Sequence, residues 1–300
     1  MNDRDRRPRP CAAPWWVRLS VFLLLIGVTL GWLRGCVAGQ FFYPDRRQHV
    51  WKDPGLPYED VFFHAADGTK LHGWFVPAVG EARGTVVHMH GNAQNITVHY
   101  GFVDWLPARG YNVFAFDYRG YGKSDGSPTI SGCVADGLAA IEYVHGRAAD
   151  GDGRIVVLGQ SLGAAVATAV VGREQPDGVR GVFLDSGFVS YPRIVGEKMR
   201  ETVVLFPLSF LAPLLVDDEY SPDLYIARIA PRRVLFLHGT ADRTIPSAHS
   251  ETLHELAGEP KSLHLAAGSG HLEALDFQRN TWRPVLLEFL ERSFTDGADP

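Results

Sequence analysis

Short apolar runs alternate with amphipathic stretches along most of the chain. Runs rich in β-branched and aromatic residues predict strands at 61–64, 71–76, 85–90, 112–117, 155–159, 181–185, 234–238 and 262–266. Helical periodicity predicts helices at 130–145, 162–171, 247–257 and 282–294, with a further amphipathic stretch at 99–108. Because each crossover between parallel strands passes over a face of the sheet, the pattern predicts an α/β fold: a mostly parallel, eight-stranded sheet with helices on both faces.

Two segments depart from this alternation. The pair 61–64 and 71–76, separated by a short turn around Gly68, predicts an antiparallel hairpin at one edge of the sheet. Between 186 and 232 no strand is evident, although 203–216 is strongly apolar and contains Pro207 and Pro213. Two interpretations stay open for 187–232: ordinary helices packed on the sheet, or a small cap that supplies an apolar acyl pocket.

The N-terminal region has the charge order of a signal or signal anchor. An uncharged apolar run at 19–33 follows a cluster of arginines: Arg4, Arg6, Arg7, Arg9 and Arg18. The run is shorter than the roughly 20 residues of a full span, but Trp15 and Trp16 extend it as interfacial aromatics. We therefore expect a membrane anchor at 1–40, a linker at 41–57 and a catalytic domain at 58–296. The arginine excess predicts a cytoplasmic N-terminus, with the catalytic domain on the non-cytoplasmic side, periplasmic or extracellular in a bacterium.

Two alternatives to an uncleaved anchor remain. Leu33-Arg34-Gly35-Cys36 is similar to a bacterial lipoprotein cleavage box in which Cys36 would be lipidated, although Arg34 stands where a small residue is usual. The other alternative is a cleaved signal peptide that releases a soluble enzyme.

Composition narrows the class of function. A chain of 300 residues with a net charge of -5 and no long basic stripe predicts one catalytic domain, with no nucleic-acid partner. Cys11, Cys36 and Cys133 offer neither a disulfide framework nor zinc-ligand spacing, so we expect no metal and no cofactor. A small-molecule or lipid substrate fits this composition better. The sequence makes no prediction of oligomeric state.

The strongest chemical signal is Gly159-Gln160-Ser161-Leu162-Gly163, a G-x-S-x-G motif between a predicted strand and a predicted helix. A sharp strand-to-helix turn strains the serine and leaves room only for glycine two positions away on either side. The serine hydroxyl is thereby presented at a helix N-terminus, where developing negative charge is favoured. Ser161 is therefore the predicted nucleophile.

Three further loops complete the predicted site. His271, in the glycine-rich loop after the last predicted strand, is the expected general base. Asp242 follows the strand at 234–238 and is the expected third member of a triad, with Asp185 as its rival. The backbone N–H groups of Leu162 and Asn92 are the expected oxyanion donors; for the second donor, Ala93 in the loop His90-Gly91-Asn92-Ala93 is the alternative.

Together these motifs, with Asp117-Tyr118-Arg119-Gly120-Tyr121-Gly122-Lys123-Ser124, identify the chain as resembling the α/β-hydrolase superfamily. Within it the chain is similar to the membrane-anchored branch of lysophospholipases and protein depalmitoylases. The resemblance covers 58–294 and is specific for the superfamily, not for a substrate. It implies that Asp117-Tyr118-Arg119-Gly120 lies beside the pocket and braces the oxyanion loop.

The expected activity is hydrolysis of a carboxylic ester or thioester through an acyl-enzyme intermediate. A serine at the elbow argues against the superfamily's epoxide hydrolases and dehalogenases, which use aspartate there. An aminopeptidase or an acyltransferase of the same fold is the alternative enzyme. A catalytically inactive, membrane-displayed binding module is the alternative outside enzymes, and it is disfavoured because every triad residue is present.

Overall fold

A computed structural model describes residues 14–49, 53–147, 153–276 and 280–295. Its strands are β1 Tyr43–Pro44, β2 Glu59–His64, β3 Lys70–Val76, β4 Thr85–Met89, β5 Ala93–Gln94, β6 Asn112–Asp117, β7 Ile155–Gln160, β8 Val179–Asp185, β9 Arg233–Gly239 and β10 Lys261–Ala266. Its α-helices are α1 Trp15–Gly39, α2 Ile96–His99, α3 Ile130–His145, α4 Leu162–Ala169, α5 Tyr191–Arg200, α6 Ala212–Leu215, α7 Ala248–Leu256 and α8 Arg283–Thr295.

The main sheet has eight strands in the order β10-β9-β8-β7-β4-β6-β3-β2. Strand β3 is antiparallel to both β2 and β6, whereas the other neighbouring pairs are parallel. The predicted eight-stranded, mostly parallel sheet is therefore confirmed, with the hairpin at one edge. This topology brings the carboxyl ends of β4, β7, β8, β9 and β10 to one edge of the sheet, where ligands bind in open α/β sheets.

Two hydrophobic cores cover the two faces of the sheet. One packs α3 and α4 against the central strands, and the other packs α8 and residues 100–111 against the opposite face. Strands β6 and β7 are buried along their whole length, which explains their near-continuous apolar sequences. Each large apolar side chain buried here contributes roughly 1.5–3 kcal/mol.

The amphipathic stretch expected at 99–108 is not a regular helix. It consists of the end of α2, two 3₁₀ turns at Tyr100–Phe102 and Pro107–Arg109, and irregular chain between them. Gly101 lowers helix propensity, and Pro107 lacks an N–H for a continuing helix. The amphipathic pattern still serves burial, because Tyr100, Val103 and Leu106 lie in the second core.

The segment expected to be either packed helices or a cap contains no strand among its described residues. It contains α5, a 3₁₀ helix at Phe206–Leu211 and α6, and α6 packs against both α5 and α1. Its apolar residues fall into two groups: those at 203–210 are largely exposed, with Val203 90% and Phe210 73% accessible, whereas Tyr191, Ile194, Ile226 and Ile229 are buried in the main core. The segment thus combines parts that pack on the core with an exposed apolar part. We call residues 187–232 the cap segment and residues 201–216 the outer cap.

Candidate active site

Ser161 lies in the sharp turn between β7 and α4. Its backbone has φ +55° and ψ −115°, a region that L-residues rarely adopt. A Cβ at Gly159 would stand 2.5 Å from the carbonyl oxygen of Gly163, and a Cβ at Gly163 would stand 2.0 Å from that of Met89. Both glycines are therefore required by close backbone approach, as the motif predicted.

His271 and Asp242 meet Ser161 from separate loops. The Nε2 atom of His271 is 3.0 Å from the Ser161 hydroxyl, and its Nδ1 atom is 2.6 Å from Oδ2 of Asp242. A carboxylate only accepts hydrogen bonds, so Nδ1 carries the proton and Nε2 is free to accept from the serine hydroxyl. The structure thus brings the three predicted side chains into one hydrogen-bonded chain.

Asp242 is held as a carboxylate by its surroundings. Its Oδ1 atom accepts from the backbone N–H groups of Thr244 at 2.8 Å and Ile245 at 2.9 Å. Burial by itself raises the pKa of Asp242, but hydrogen bonds from His238, His271 and the Ile245 N–H outweigh it and hold this pKa far below the usual value. A permanently ionised acid in this position is suited to stabilise an imidazolium.

His238 is a site residue that the sequence analysis missed. Its Nε2 atom lies 2.8 Å from the carbonyl oxygen of Ile245 and 3.3 Å from Oδ2 of Asp242, and its Nδ1 atom lies 2.7 Å from the hydroxyl of Ser250. It is fully buried at the end of β9, four residues before Asp242. The only signal in the sequence is its place in His238-Gly239-Thr240-Ala241-Asp242.

Asp185, the rival acid, belongs to a different network. Its Oδ2 atom accepts from the Gln160 amide at 3.1 Å and its Oδ1 atom accepts from the Ser186 hydroxyl at 2.9 Å. Burial raises the pKa of Asp185, although the two hydrogen bonds by themselves lower this pKa. Gln160 also meets His88 at 2.8 Å, so this network lies beneath the nucleophile turn. His271 donates its Nδ1 hydrogen bond to Asp242 and not to Asp185.

The loop after β4 passes over the nucleophile. A Cβ at Gly91 would lie 3.7 Å from that of Ser161. The Nδ1 atom of His90 is 2.7 Å from the carbonyl oxygen of Gly91, and in a trans peptide this turns the N–H of Asn92 to the opposite side. Leu162 is the first residue of α4, so its N–H has no acceptor within that helix. The geometry is compatible with both expected donors.

The carbonyl of Asn92 is fixed by two donors. The backbone N–H of Tyr43 donates to it at 2.8 Å and the Tyr121 hydroxyl at 2.7 Å. The side chain of Asp117 braces the same loop further on, because its Oδ1 atom accepts from the N–H of Ile96 at 2.9 Å. Arg119, within the motif expected to brace the loop, instead pairs with Asp136 of α3.

Tyr43 belongs to a contact that the sequence did not indicate. Residues 43–44 pair in parallel with β5, and the amide of buried Asn95 donates to the carbonyls of Asp45 and Arg47, each at 2.8 Å. Residues 43–47, expected to be linker, are thus attached to the loop over the nucleophile. No periodicity marks such a contact, because a two-residue pair has no repeat.

Comparisons with known proteins agree with this architecture. A family model described as serine aminopeptidase, S33, matches residues 80–225. YfhR of Escherichia coli K12 is 40% identical over 255 residues, covering 83% of this chain and 86% of YfhR. WAV2 of Arabidopsis thaliana, named as an alpha/beta hydrolase domain-containing protein, is 33% identical over 253 residues, covering 79% of this chain and 80% of WAV2.

Among solved structures, the Pyrococcus furiosus esterase Pf2001 superposes with a TM-score of 0.69 at 23% identity, covering 84% of this chain and 98% of the esterase. The chain therefore belongs to the α/β-hydrolase superfamily, in one family with YfhR and WAV2. The fold predicted from the motifs is confirmed.

Proposed function

We propose that this protein is a serine hydrolase that cleaves carboxylic ester or thioester bonds. The observation that carries the proposal is the unbroken chain from the Ser161 hydroxyl through His271 to Asp242, with contacts of 3.0 and 2.6 Å. Esterases among the structural neighbours, such as Pf2001, support the class of reaction without specifying the substrate.

The proposed reaction has two steps. Ser161 Oγ attacks the acyl carbonyl while His271 Nε2 takes its proton, and His271 then protonates the departing alcohol or thiol. Water, deprotonated by the same nitrogen, attacks the acyl-serine and releases the acid. The N–H groups of Leu162 and Asn92 hold the oxyanion in both steps, and each such donor contributes about 2.7–4 kcal/mol to transition-state stabilisation.

A fluorophosphonate probe tests the nucleophile directly. The wild-type protein is expected to be labelled at Ser161, and Ser161→Ala protein is expected to remain unlabelled. Labelling of another residue would contradict the proposal, and so would the absence of labelling in a folded wild-type protein. The absence of labelling is the result expected of an inactive binding module.

The family model's description favours an aminopeptidase as the second candidate. Such an enzyme needs a carboxylate to receive the substrate ammonium. The large apolar groove described in the next subsection is lined by Gln40, Lys198 and otherwise apolar or aromatic side chains, which suits an acyl chain better. Rates on matched p-nitrophenyl esters and aminoacyl amides separate the two candidates.

Membrane anchoring through α1 is part of the proposal. This helix has 25 residues, and its most apolar 18-residue window has a mean hydropathy of 2.0 and no buried residue, which by length and composition suits a single span or a signal. The arginines that precede it favour a cytoplasmic N-terminus, which places the catalytic domain on the opposite side. Accessibility of Cys36 and of an added N-terminal tag to impermeant reagents in intact cells tests this orientation.

A further inference from the structure

A large apolar groove lies outside the catalytic triad. It measures about 630 Å³ and runs between the end of α1 and the cap segment. Its α1 side presents Leu33 and Val37, followed by Phe41, spaced four residues apart. Its cap side includes Val195, Leu208 and Leu211. We call it the α1–cap groove, and its size falls in the range of about 300–1,000 Å³ typical of ligand sites.

The C-terminal end of helix α1 packs against the catalytic domain. Val37 and Phe41 pack on the main core, and the Phe41 ring lies 5.0 Å from that of Tyr191, edge to face. The guanidinium of Arg34 donates to the carbonyl of Leu214 in α6 at 2.9 Å. The last turns of the helix therefore form a fixed wall of the groove.

Two residues that line the groove also form hydrogen bonds to loops of the candidate active site. Tyr43 lines the groove, and its N–H donates to Asn92 at 2.8 Å. Lys198 also lines it, and its Nζ is 3.5 Å from the carbonyl of Arg243, the residue after Asp242. The groove is thus adjacent to both the loop over the nucleophile and the loop that carries the acid.

The outer end of the groove is continuous with apolar surface. Leu33 ends the uncharged apolar run of α1 and stands directly before Arg34. The neighbouring outer cap exposes Val203 at 90%, Val204 at 79% and Phe206 at 59%. Contiguous exposed apolar side chains beside a membrane-length helix fit contact with the acyl region of a bilayer. A groove that opens at this level is accessible to an occupant that comes from the membrane.

We propose that the α1–cap groove binds the acyl chain of a membrane lipid, which enters laterally from the bilayer beside α1 and presents its ester carbonyl to Ser161. This inference rests on the proposed serine hydrolase activity. Burial of each added methylene should raise the binding constant of the acyl chain by up to about fourfold until the groove is full. The anchor helix is then part of the substrate site, so its removal changes specificity as well as localisation.

The first test uses the full chain in phosphatidylcholine vesicles and measures kcat/KM for p-nitrophenyl esters from acetyl to palmitoyl. Val195→Trp narrows the groove, and Val79→Trp, on an exposed loop with 63% accessibility, is its matched control. We expect the palmitoyl-to-butyryl ratio of kcat/KM to fall about tenfold or more in Val195→Trp and to keep its wild-type value in Val79→Trp. The ratio is the readout because a general loss of folded enzyme cancels in it.

The second test does not depend on turnover. Ser161→Ala protein in the same vesicles is irradiated with a phosphatidylcholine that carries a diazirine in its acyl chain. Crosslinks in the peptides covering 33–43 and 194–215 are expected, and Val195→Trp should reduce them. Crosslinks confined to residues 15–32 would overturn the proposal that the groove binds the acyl chain. A palmitoyl-to-butyryl ratio of kcat/KM that does not change in Val195→Trp would also overturn it. Crosslinks at the groove together with no esterase activity would support the groove and contradict the proposed hydrolase instead.

Discussion

The carboxyl edge of the sheet and the outer cap differ in how their side chains are held. At the sheet edge each proposed catalytic group has at least one fixed partner within 3.0 Å, and Asp242 is held by its own loop and by His271. The outer cap instead exposes apolar side chains, including Val203 and Phe210. The first arrangement suits chemistry that needs fixed geometry, and the second suits contact with a deformable apolar phase.

Loss of the nucleophile is the largest effect that this comparison predicts. Ser161→Ala should lower kcat by about 10⁴-fold to 10⁶-fold because the hydroxyl is the attacking group. Ser209→Ala in the outer cap is the matched change and should leave kcat on a short-chain ester near the wild-type value. Steady-state rates on p-nitrophenyl butyrate measure kcat for both variants. An active Ser161→Ala protein would contradict the prediction that chemistry depends on the fixed side chains of the sheet edge.

The two buried aspartates at the sheet edge should differ in effect. Asp242→Asn should lower kcat by about 10⁴-fold, because His271 loses the carboxylate that fixes its tautomer. Asp185→Asn should lower kcat by less than about tenfold, since Asp185 bonds Gln160 and Ser186 rather than the imidazole. Equal losses in the two variants would show that the network beneath the nucleophile turn takes a direct part in the reaction.

Glycine substitutions separate the sheet edge from the cap segment by their effect on stability. Gly163→Ala should lower the free energy of unfolding by about 3 kcal/mol or more, because its Cβ would stand 2.0 Å from a backbone carbonyl oxygen. Gly196→Ala in α5 has no atom nearer than 3.5 Å and should raise it by up to about 1 kcal/mol through helix propensity. Urea unfolding measures both variants, and a stable Gly163→Ala protein would contradict the close approach.

The smallest predicted effect is on the pH dependence of stability. Burial lowers the pKa of His88 from its ordinary 6.5 to about 3. Below pH 6.5 the unfolded chain therefore binds a proton that the folded protein does not, so the stability provided by neutral His88 falls as pH drops from 6.5 towards 3. Near pH 5, His88→Asn should reduce the slope of unfolding free energy against pH by about one proton. If the slope is unchanged in His88→Asn, groups other than His88 cause the pH dependence of stability.

Most of the sheet edge could be predicted because its constraints are local. The steric demand at Ser161 fixes glycines two residues away, and the residues directly after β9 and β10 lie at the carboxyl edge in any parallel sheet. The role of His238 was missed because a buried histidine at the end of a strand has the same sequence pattern whether it packs in the core or contacts Asp242. The irregular chain at 99–108 was missed because amphipathicity reports burial more directly than backbone conformation.

The sequence by itself determined the eight strands of the main sheet in their chain order, the apolar N-terminal segment, and Ser161 and His271 as residues that meet at the sheet edge. Only the tertiary structure decided that His271 pairs with Asp242 rather than Asp185, that residues 43–47 bind the loop around Asn92, and that α1 forms a wall of a groove. The physical reason is range. Periodicity and turn sterics act within a few residues, whereas these contacts join segments far apart in the chain and depend on how the packed layers approach one another.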